Sequence, residues 1–303
     1  MSATRKVDLD PAILPVIQSD VIMDTLPLRI FRNFTKVKTD LQRTPSDSIR
    51  FLKMNDLQGG GMLESEDTPI GHEKLGVNYV DVTVHEFGNG IKISRRALEQ
   101  TPSPINLLTD AARLLMRNES MRMDEYYRDI FLGTANKIYY KTGGGGAATS
   151  DVNKKFDADV LKDAIEVLET NLVPKFRRGG DEFWACVAHP HVIRQLRDTT
   201  YWLEAHKYTD PQSIWNGEVG RIEDVVFFKK QDMPILTAGS ANSLDVHRTV
   251  LLGSDAVASA ITVPTELREG GVIDYNRWVA MVWYSIEGGG IIEDNMIEIQ
   301  TEA

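Results

Sequence analysis

Cys186, His189 and His191, with His206 further along, come closest in this sequence to a metal-ligand spacing. A thiolate with imidazoles would suit zinc, which needs four such ligands in a closed structural site. On a strand, however, Cys186 and His189 have opposite parity and face opposite sides, and nothing singles out a fourth ligand. The cluster reads as a buried cysteine followed by a turn-capping histidine, and no metal site is expected. The pairs His72-Glu73 and His85-Glu86 lack the second imidazole of a zinc-protease helix, because Gly76 and Asn89 stand where it would fall. Two glycine runs, Gly59–Gly61 and Gly143–Gly146, are followed by Met62-Leu63 and Ala147-Ala148. A phosphate loop requires Lys-Ser/Thr there, so both runs read as flexible turns. Glu64, Glu66 and Asp67 sit on a glycine-rich stretch with no neighbouring base to orient them, and read as solvated surface. The sequence assigns no catalytic, cofactor-binding or metal-ligating residue. No cofactor is expected, and the chain does not read as an enzyme.

Bulk properties narrow the class further. The chain has 303 residues, 34 basic and 44 acidic, for a net charge of -10. That balance excludes a protein that grips nucleic acid by global charge, which needs clustered Lys and Arg. Hydrophobic residues at 42% and charged residues at 26% exclude a wholly disordered or collagen-like chain. The single cysteine excludes an intrachain disulfide and multi-cysteine clusters, and suits a reducing compartment. Asp8, Asp10, Pro11, Pro15 and Asp20 interrupt any secretory h-region. No stretch approaches the ~20 apolar residues of a membrane span. A soluble cytoplasmic protein without membrane contact is expected.

The elements that would position these side chains follow from periodicity. Residues 1–48 mix apolar pairs with Pro11, Pro15, Pro27 and Pro45, which predicts an extended arm with one short helix near Val16–Leu26. So apolar an arm must lie on its own core or on a neighbouring subunit. Ile49–Met54 and Tyr79–Phe87 are strand candidates; Val80, Val82 and Val84 alternate with polar residues in the second. Between them runs a glycine-rich loop of a length that is usually functional or disordered. Asn89-Gly90 signals a turn, with Ile91–Ile93 as a further short strand. A long helix is predicted from Asn106 to Leu132, on the order of 40 Å, with Leu107, Leu108, Ala111, Leu114, Leu115, Met121 and Ile130 supplying its stripe. A hairpin around Gly143–Gly146 follows, then a helix from the N-cap candidate Asp157 to about Asn171. Its buried face should be Val160, Leu161, Ala164, Ile165 and Leu168.

Phe183–Ala188 has the length of a buried strand, and His189-Pro190 turns it into a short helix ending near Asp198. Further strands are expected at Val225–Phe228, Val250–Gly253, Ala256–Val263, Arg277–Ile286 and Met296–Gln300. The order is mixed rather than strictly alternating, which predicts an α+β fold with antiparallel sheets. Charge is uneven. Residues 1–50 carry 8 basic and 6 acidic side chains (+2), and residues 263–303 carry 2 and 8 (-6). The simplest reading is solvated surface; a sharper one is that opposite-signed segments meet between subunits.

This order of arm, hairpin excursion, spine helix, second mixed region and returning strands resembles the major capsid proteins of tailed bacteriophages. Their Hong Kong-type fold is also found in encapsulin shells. Leu132-Gly133-Thr134 after the spine, Asn171-Leu172-Val173-Pro174, and Val187-Ala188-His189-Pro190 running to Leu196-Arg197-Asp198 are similar to the coliphage N-four coat protein branch. Trp202, Tyr208, Gly217-Glu218-Val219-Gly220 and Val225-Val226-Phe227 agree with it.

The resemblance implies an N-terminal arm at 1–48, an extended hairpin loop at 49–95 and a peripheral domain with the spine helix at 96–180. It implies an axial domain at 181–262 and returning peripheral strands at 263–303. The expected function is a coat protein that assembles with itself as pentamers and hexamers of an icosahedral shell around double-stranded DNA, which it contacts non-specifically. Assembly would take place in the bacterial host cytoplasm. A separate scaffolding protein and a portal are expected partners, and a decoration protein is a further one. With Met1 retained, no long scaffold segment is expected to be cleaved away. Met62, Leu63 and Ile70 on the loop, and Phe31 and Phe34 on the arm, are the candidate intersubunit contacts. Lys53 and Lys74 lie in or near the loop, but nothing singles them out for Lys–Asn crosslinking, and noncovalent assembly is expected. The competing readings are an encapsulin-type compartment holding an enzyme cargo, and a soluble oligomeric metal-dependent enzyme built on Cys186, His189 and His191.

Overall fold

The computed structural model describes residues 29–39, 46–55, 72–100, 107–199, 218–222, 224–236, 245–270 and 277–302, with the single positions 57, 59, 62, 70, 274 and 275. The helix expected near Val16–Leu26 lies outside the described residues, as do Leu63, Trp202, His206 and Tyr208.

The helices begin and end where local chemistry directs. α1 is Arg95–Gln100 and α2, the spine, is Leu107–Phe131. At 1.5 Å per residue, the 25 residues of α2 span about 37 Å. A buried row recurs every four residues, at Ala111, Leu115, Glu119, Met123, Tyr127 and Phe131, with Ser120 and Asp124 buried beside it, whereas Leu114 points outward at 47% exposure. α3 is Ala158–Thr170, where the Asp157 carboxylate accepts the Val160 N–H at 3.0 Å. Its buried face is the expected one: Val160, Leu161, Ala164, Ile165 and Leu168. α4 is Pro190–Arg197, with Pro190 in its first turn and His189 Nδ1 accepting the His191 N–H.

The strands, in chain order, are β1 Lys36–Lys38, β2 Ser48–Met54, β3 Val77–Thr83, β4 His85–Ser94, β5 Lys137–Lys141, β6 Gly144–Gly146, β7 Phe176–Arg178 and β8 Asp181–Ala188. They continue with β9 Glu218–Ile222, β10 Val225–Lys229, β11 Ile235–Leu236, β12 Val246–Leu252, β13 Val257–Glu269, β14 Trp278–Ile291 and β15 Met296–Glu302. The largest sheet has the order β6-β5-β15-β12-β8-β10-β9, with β7 and β11 paired to β8 and β12. One face of this sheet carries Trp184, Cys186, Ala188, Leu251, Ile297 and Ile299, which pack on the buried faces of α3 and α4 to form the main core. A second sheet runs β1-β13-β14-β4, and β2 and β3 form a two-stranded sheet.

The α+β class holds, but the sheets are mixed rather than antiparallel. β10 lies parallel to β8, β5 parallel to β15 and β1 parallel to β13. A parallel pair needs a crossover of a dozen or more residues, and the chain from Ala188 to Val225, which carries α4, provides one.

Asn89-Gly90 makes no turn. β4 runs straight through it, and neither Gly88 nor Gly90 has a positive φ. Their role is close approach: a Cβ at Gly88 would lie 2.9 Å from the Trp283 carbonyl oxygen, and one at Gly90 3.1 Å from that of Met281. The Asn89 amide instead donates to Asn118 Oδ1 at 3.0 Å, which also accepts the Trp283 indole N–H at 3.1 Å.

The described residues form two compact units. One comprises residues from 88–121 and 265–284, and the other residues from 29–87, 122–264 and 285–302. The main core and the cluster of Ile49, Phe51, Val82, Ala258 and Ala260 both belong to the second.

Candidate assembly surface

β2 and β3 form an antiparallel ribbon of seven residue pairs, from Ser48↔Thr83 to Met54↔Val77. Its near end is anchored by alternation. Ile49, Phe51 and Val82 point inward and are buried with Ala258 and Ala260, with Val84 and Ile292 packed alongside. One step further along the same strand, Lys53 forms an ion pair with Glu293 at 2.7 Å. Burial alone would raise the Glu293 pKa, but the Lys53 ammonium and the Asn295 amide outweigh it and hold the carboxyl below its usual range. Arg50 bridges the two strands, with both carboxylate oxygens of Asp81 at 2.7 Å and the Tyr79 ring 4.0 Å from its guanidinium carbon.

Beyond this anchor the ribbon's apolar side chains lie open among the described residues. Leu52, Met54, Leu57, Leu75, Val77 and Tyr79 are exposed, together with Met62 at 93% and Ile70 at 68%. An isolated two-stranded ribbon is at best marginally stable in water, and among the described residues no third strand pairs with either of its edges. A concentration of exposed apolar side chains on such an element makes it a candidate contact surface.

The arm is different. Ile30 and Phe31 donate their backbone N–H groups to Asp124 Oδ1, and Arg32 donates to Glu287 at 2.7 Å. Tyr127 Oη stands 2.5 Å from Ser259 Oγ and donates to Glu287 at 3.2 Å. Phe31 is fully buried with its ring centroid 5.6 Å from that of Phe131, while Phe34 lies 5.3 Å from Phe176 and 5.2 Å from Phe228. Of the five contact candidates, the structure thus places Met62 and Ile70 on the exposed loop and packs Phe31 and Phe34 into their own chain; Leu63 lies outside the described residues. Sequence alone does not single out Leu52, Met54, Leu57, Leu75, Val77 and Tyr79. For the two in β3 the signal is an apolar character on both parities, Val77 and Tyr79 on one side and Val80 and Val82 on the other.

Residues 126–289 match the sequence profile of a family described as phage capsid protein. The chain belongs to that family. It is thus a structural protein of a bacteriophage capsid. No curated protein sequence matches it. Among solved structures, the capsid of Ralstonia phage GP4 is similar with a TM-score of 0.79 at 17% identity, covering 100% of this chain and 98% of that one. The cyanophage Pam1 capsid asymmetric unit gives 0.75 at 14% identity, with 97% of each chain covered. The head of Helicobacter pylori bacteriophage KHP40 gives 0.72 at 12% identity, covering 100% and 98%. At these identities the likeness speaks to fold, and it extends over the whole capsid chain.

The residues with metal-like spacing serve the capsid protein's core and caps. Cys186 is fully buried in the main sheet, and burial pushes its thiol pKa well up, so it is a neutral packing group. His189 caps α4 and stacks on His247, with centroids 4.7 Å apart and planes 15° apart; the His191 ring lies 5.3 Å from His247. Burial, and then the neighbouring His189 and His191, lower the His247 pKa to about 4. Burial and then His191 lower that of His189 as well. Neutral imidazoles stack without repulsion. Among the described residues no group of three or more His, Cys, Asp and Glu is arranged to hold a metal ion. Nor is any described helix long and apolar enough to cross a membrane. The Gly143–Gly146 run forms the turn and edge strand of the β5–β6 hairpin, with the Gly143 φ at 91°.

Proposed function

We propose that this capsid protein is the major coat subunit of a tailed, double-stranded DNA bacteriophage, and that it assembles as pentamers and hexamers of an icosahedral shell. The observation that carries the reading is the β2–β3 ribbon, anchored at one end and apolar along the rest. In a closed shell of identical chains, such a ribbon lies over a neighbour, which buries its side chains and lends partners to its free edges. In this reading residues 1–48 are the arm, 49–95 the extended loop, 96–180 and 263–303 the peripheral domain, and 181–262 the axial domain.

The coliphage N-four branch is supported by the His189-Pro190 entry into α4 and the Asp198 stop that follows Leu196-Arg197. Packaged DNA is contacted non-specifically, in keeping with the net charge of -10. A separate scaffolding protein, a portal and a decoration protein complete the expected set of partners.

Negative-stain electron microscopy of the purified chain and of a variant lacking Gly59–Gly71 tests the proposal. The expected result is closed particles or capsomer sheets tens of nanometres across from the intact chain. The variant should give a folded, soluble subunit that makes none. Normal shells from the deletion would remove the role assigned to the loop.

A further inference from the structure

Four non-glycine residues among those described have a left-handed backbone: Leu172, Asp255, Asp274 and Tyr275, with φ of 51°, 59°, 46° and 54°. Aspartate tolerates this region because its short side chain bonds to the local backbone. Leucine and tyrosine have no such compensation. Yet Leu172 is 87% exposed and Tyr275 is 96% exposed. Neither side chain packs well enough on its own chain to offset the strain of its backbone.

In both places the local geometry asks for glycine. α3 ends in a Schellman motif: the Leu172 N–H donates to the Glu169 carbonyl and the Val173 N–H to that of Leu168, each at 3.0 Å. Val173 and Leu168 make the accompanying apolar contact in the core, which leaves Leu172 at the position where glycine is preferred. It forms part of the wall of an open groove together with Pro174, Lys175, Arg177 and Trp184. Between β13 and β14, the Arg277 N–H closes a turn onto the Asp274 carbonyl at 3.0 Å. Tyr275 takes the first central position, where a positive φ favours Gly, Asn or Asp. A bulky apolar residue that is both strained and almost bare is explained by neither folding nor solubility. Backbone strain of this kind persists where the side chain has work outside the fold.

We propose that Leu172 and Tyr275 are anchor residues for assembly, each buried against a second copy of this chain in the shell. The inference rests on the coat-protein reading and extends it to two positions away from the β2–β3 ribbon. Tyrosine suits such a role because it buries a large rigid area at little entropic cost while its hydroxyl stays hydrated. Leucine beside an open groove supplies an aliphatic contact of the same kind.

The test sets two readouts against each other. Leu172→Gly and Tyr275→Gly are each compared with the parent chain, first as unassembled subunit and then in assembly. Relief of strain should raise the Tm of the subunit by about 1–3 °C. Loss of the anchor should raise the concentration needed for shell formation by about tenfold. A lower Tm in either variant would mean that the side chain supports its own fold, and unchanged assembly would mean that it anchors nothing; either result overturns the proposal at that position. Tetranitromethane, with peptide mapping, gives a readout on the unaltered protein. Tyr275 should nitrate readily in the free subunit and be protected in shells made from the chain alone. Shells in which Tyr275 nitrates as fast as in the free subunit overturn the inference and leave the coat-protein reading intact. So does protection that arises only with DNA or another protein present. If the parent chain forms no shell even with its scaffolding protein, both fall.

Discussion

The carboxylate of Asp124 receives the backbone N–H of Phe31 at 2.9 Å, across 93 positions of sequence. The same oxygen accepts the Ile30 N–H, and the other lies 2.6 Å from Lys230 Nζ, with side-chain exposures of 1% for Asp124 and 8% for Lys230. One acidic residue of α2 therefore ties the arm and the end of β10 to the spine. A lone buried carboxylate would be costly; three donors around it make it tolerable.

Removing that carboxylate leaves the buried ammonium with only its longer contact to Asp232, at 3.4 Å, and takes the acceptor from two arm amides. Asp124→Ala is expected to lower subunit stability by about 3–5 kcal/mol, the range for one partner lost from a buried ion pair. Asp124→Asn, which keeps one acceptor, should cost less. Denaturant unfolding gives the magnitudes, and amide exchange at Ile30 and Phe31 should rise in the alanine variant before global unfolding does.

Adjacent residues of β2 should behave in opposite ways. Phe51 is buried at the ribbon's anchor, so Phe51→Ala is expected to lower stability by about 3 kcal/mol. Leu52 is 68% exposed, so Leu52→Ser should change subunit stability by no more than about 0.5 kcal/mol while impairing shell formation. Unfolding curves and light scattering on the two variants separate the effects.

The buried imidazole of His247 gives the subunit an acid-sensitive term. Its folded pKa of about 4 lies below the ordinary histidine value, so the unfolded chain binds the proton more readily. The stabilising contribution is complete above pH ~6.5 and is lost as pH falls through the folded pKa. Its size is at most about 3 kcal/mol, from 1.36 kcal/mol per pH unit. His189 and His191 oppose protonation of His247, whereas Asp245 favours it. His247→Gln should flatten the stability profile between pH 4 and 6.5, measured by denaturant unfolding at several pH values.

Glu298 shows the opposite dependence on its partner. Burial alone would raise its pKa, but hydrogen bonds from Arg248 and Gln300 and the charges of Arg248 and Lys137 together lower it. Arg248 reaches both carboxylate oxygens, at 2.5 and 2.8 Å, and also donates to the Leu132 carbonyl. In the parent chain this carboxylate supports stability above the unfolded carboxyl pKa and loses that effect in acid. Arg248→Met should cost about 3–5 kcal/mol at neutral pH. Gln300 and Lys137 remain beside Glu298, but burial then weighs more heavily on it, so the variant should lose less stability on acidification than the parent does. A pH series of unfolding midpoints checks the difference in slope.

Much of this architecture is legible in single segments. Asp157 and the apolar positions after it determine α3 and its buried face, because a cap and a 3.6-residue period are satisfied within one helix. His189-Pro190 announces α4 for the same reason. The length of the spine and the order of elements suffice to suggest the capsid family. Asn89-Gly90 shows the limit of such signals: glycine permits a turn, but it equally permits two strands to approach closely, and only the position of Trp283 and Met281 decides between them. Strand direction escapes local reading as well, since β8 and β10 become parallel through a crossover with no local signature.

The assembly surface divides along the same line. The sequence by itself determined a glycine-rich, apolar excursion between two strands, and Met62 and Ile70 within it. Tertiary structure alone decided which apolar residues remain outside. Phe31 and Phe34 are as hydrophobic as any candidate contact, yet Phe131 helps bury the first, and Phe176 and Phe228 half-bury the second. Tyr79, Leu172 and Tyr275 stay exposed. Hydrophobicity is a property of the residue, whereas burial is a property of what the rest of the chain brings to it.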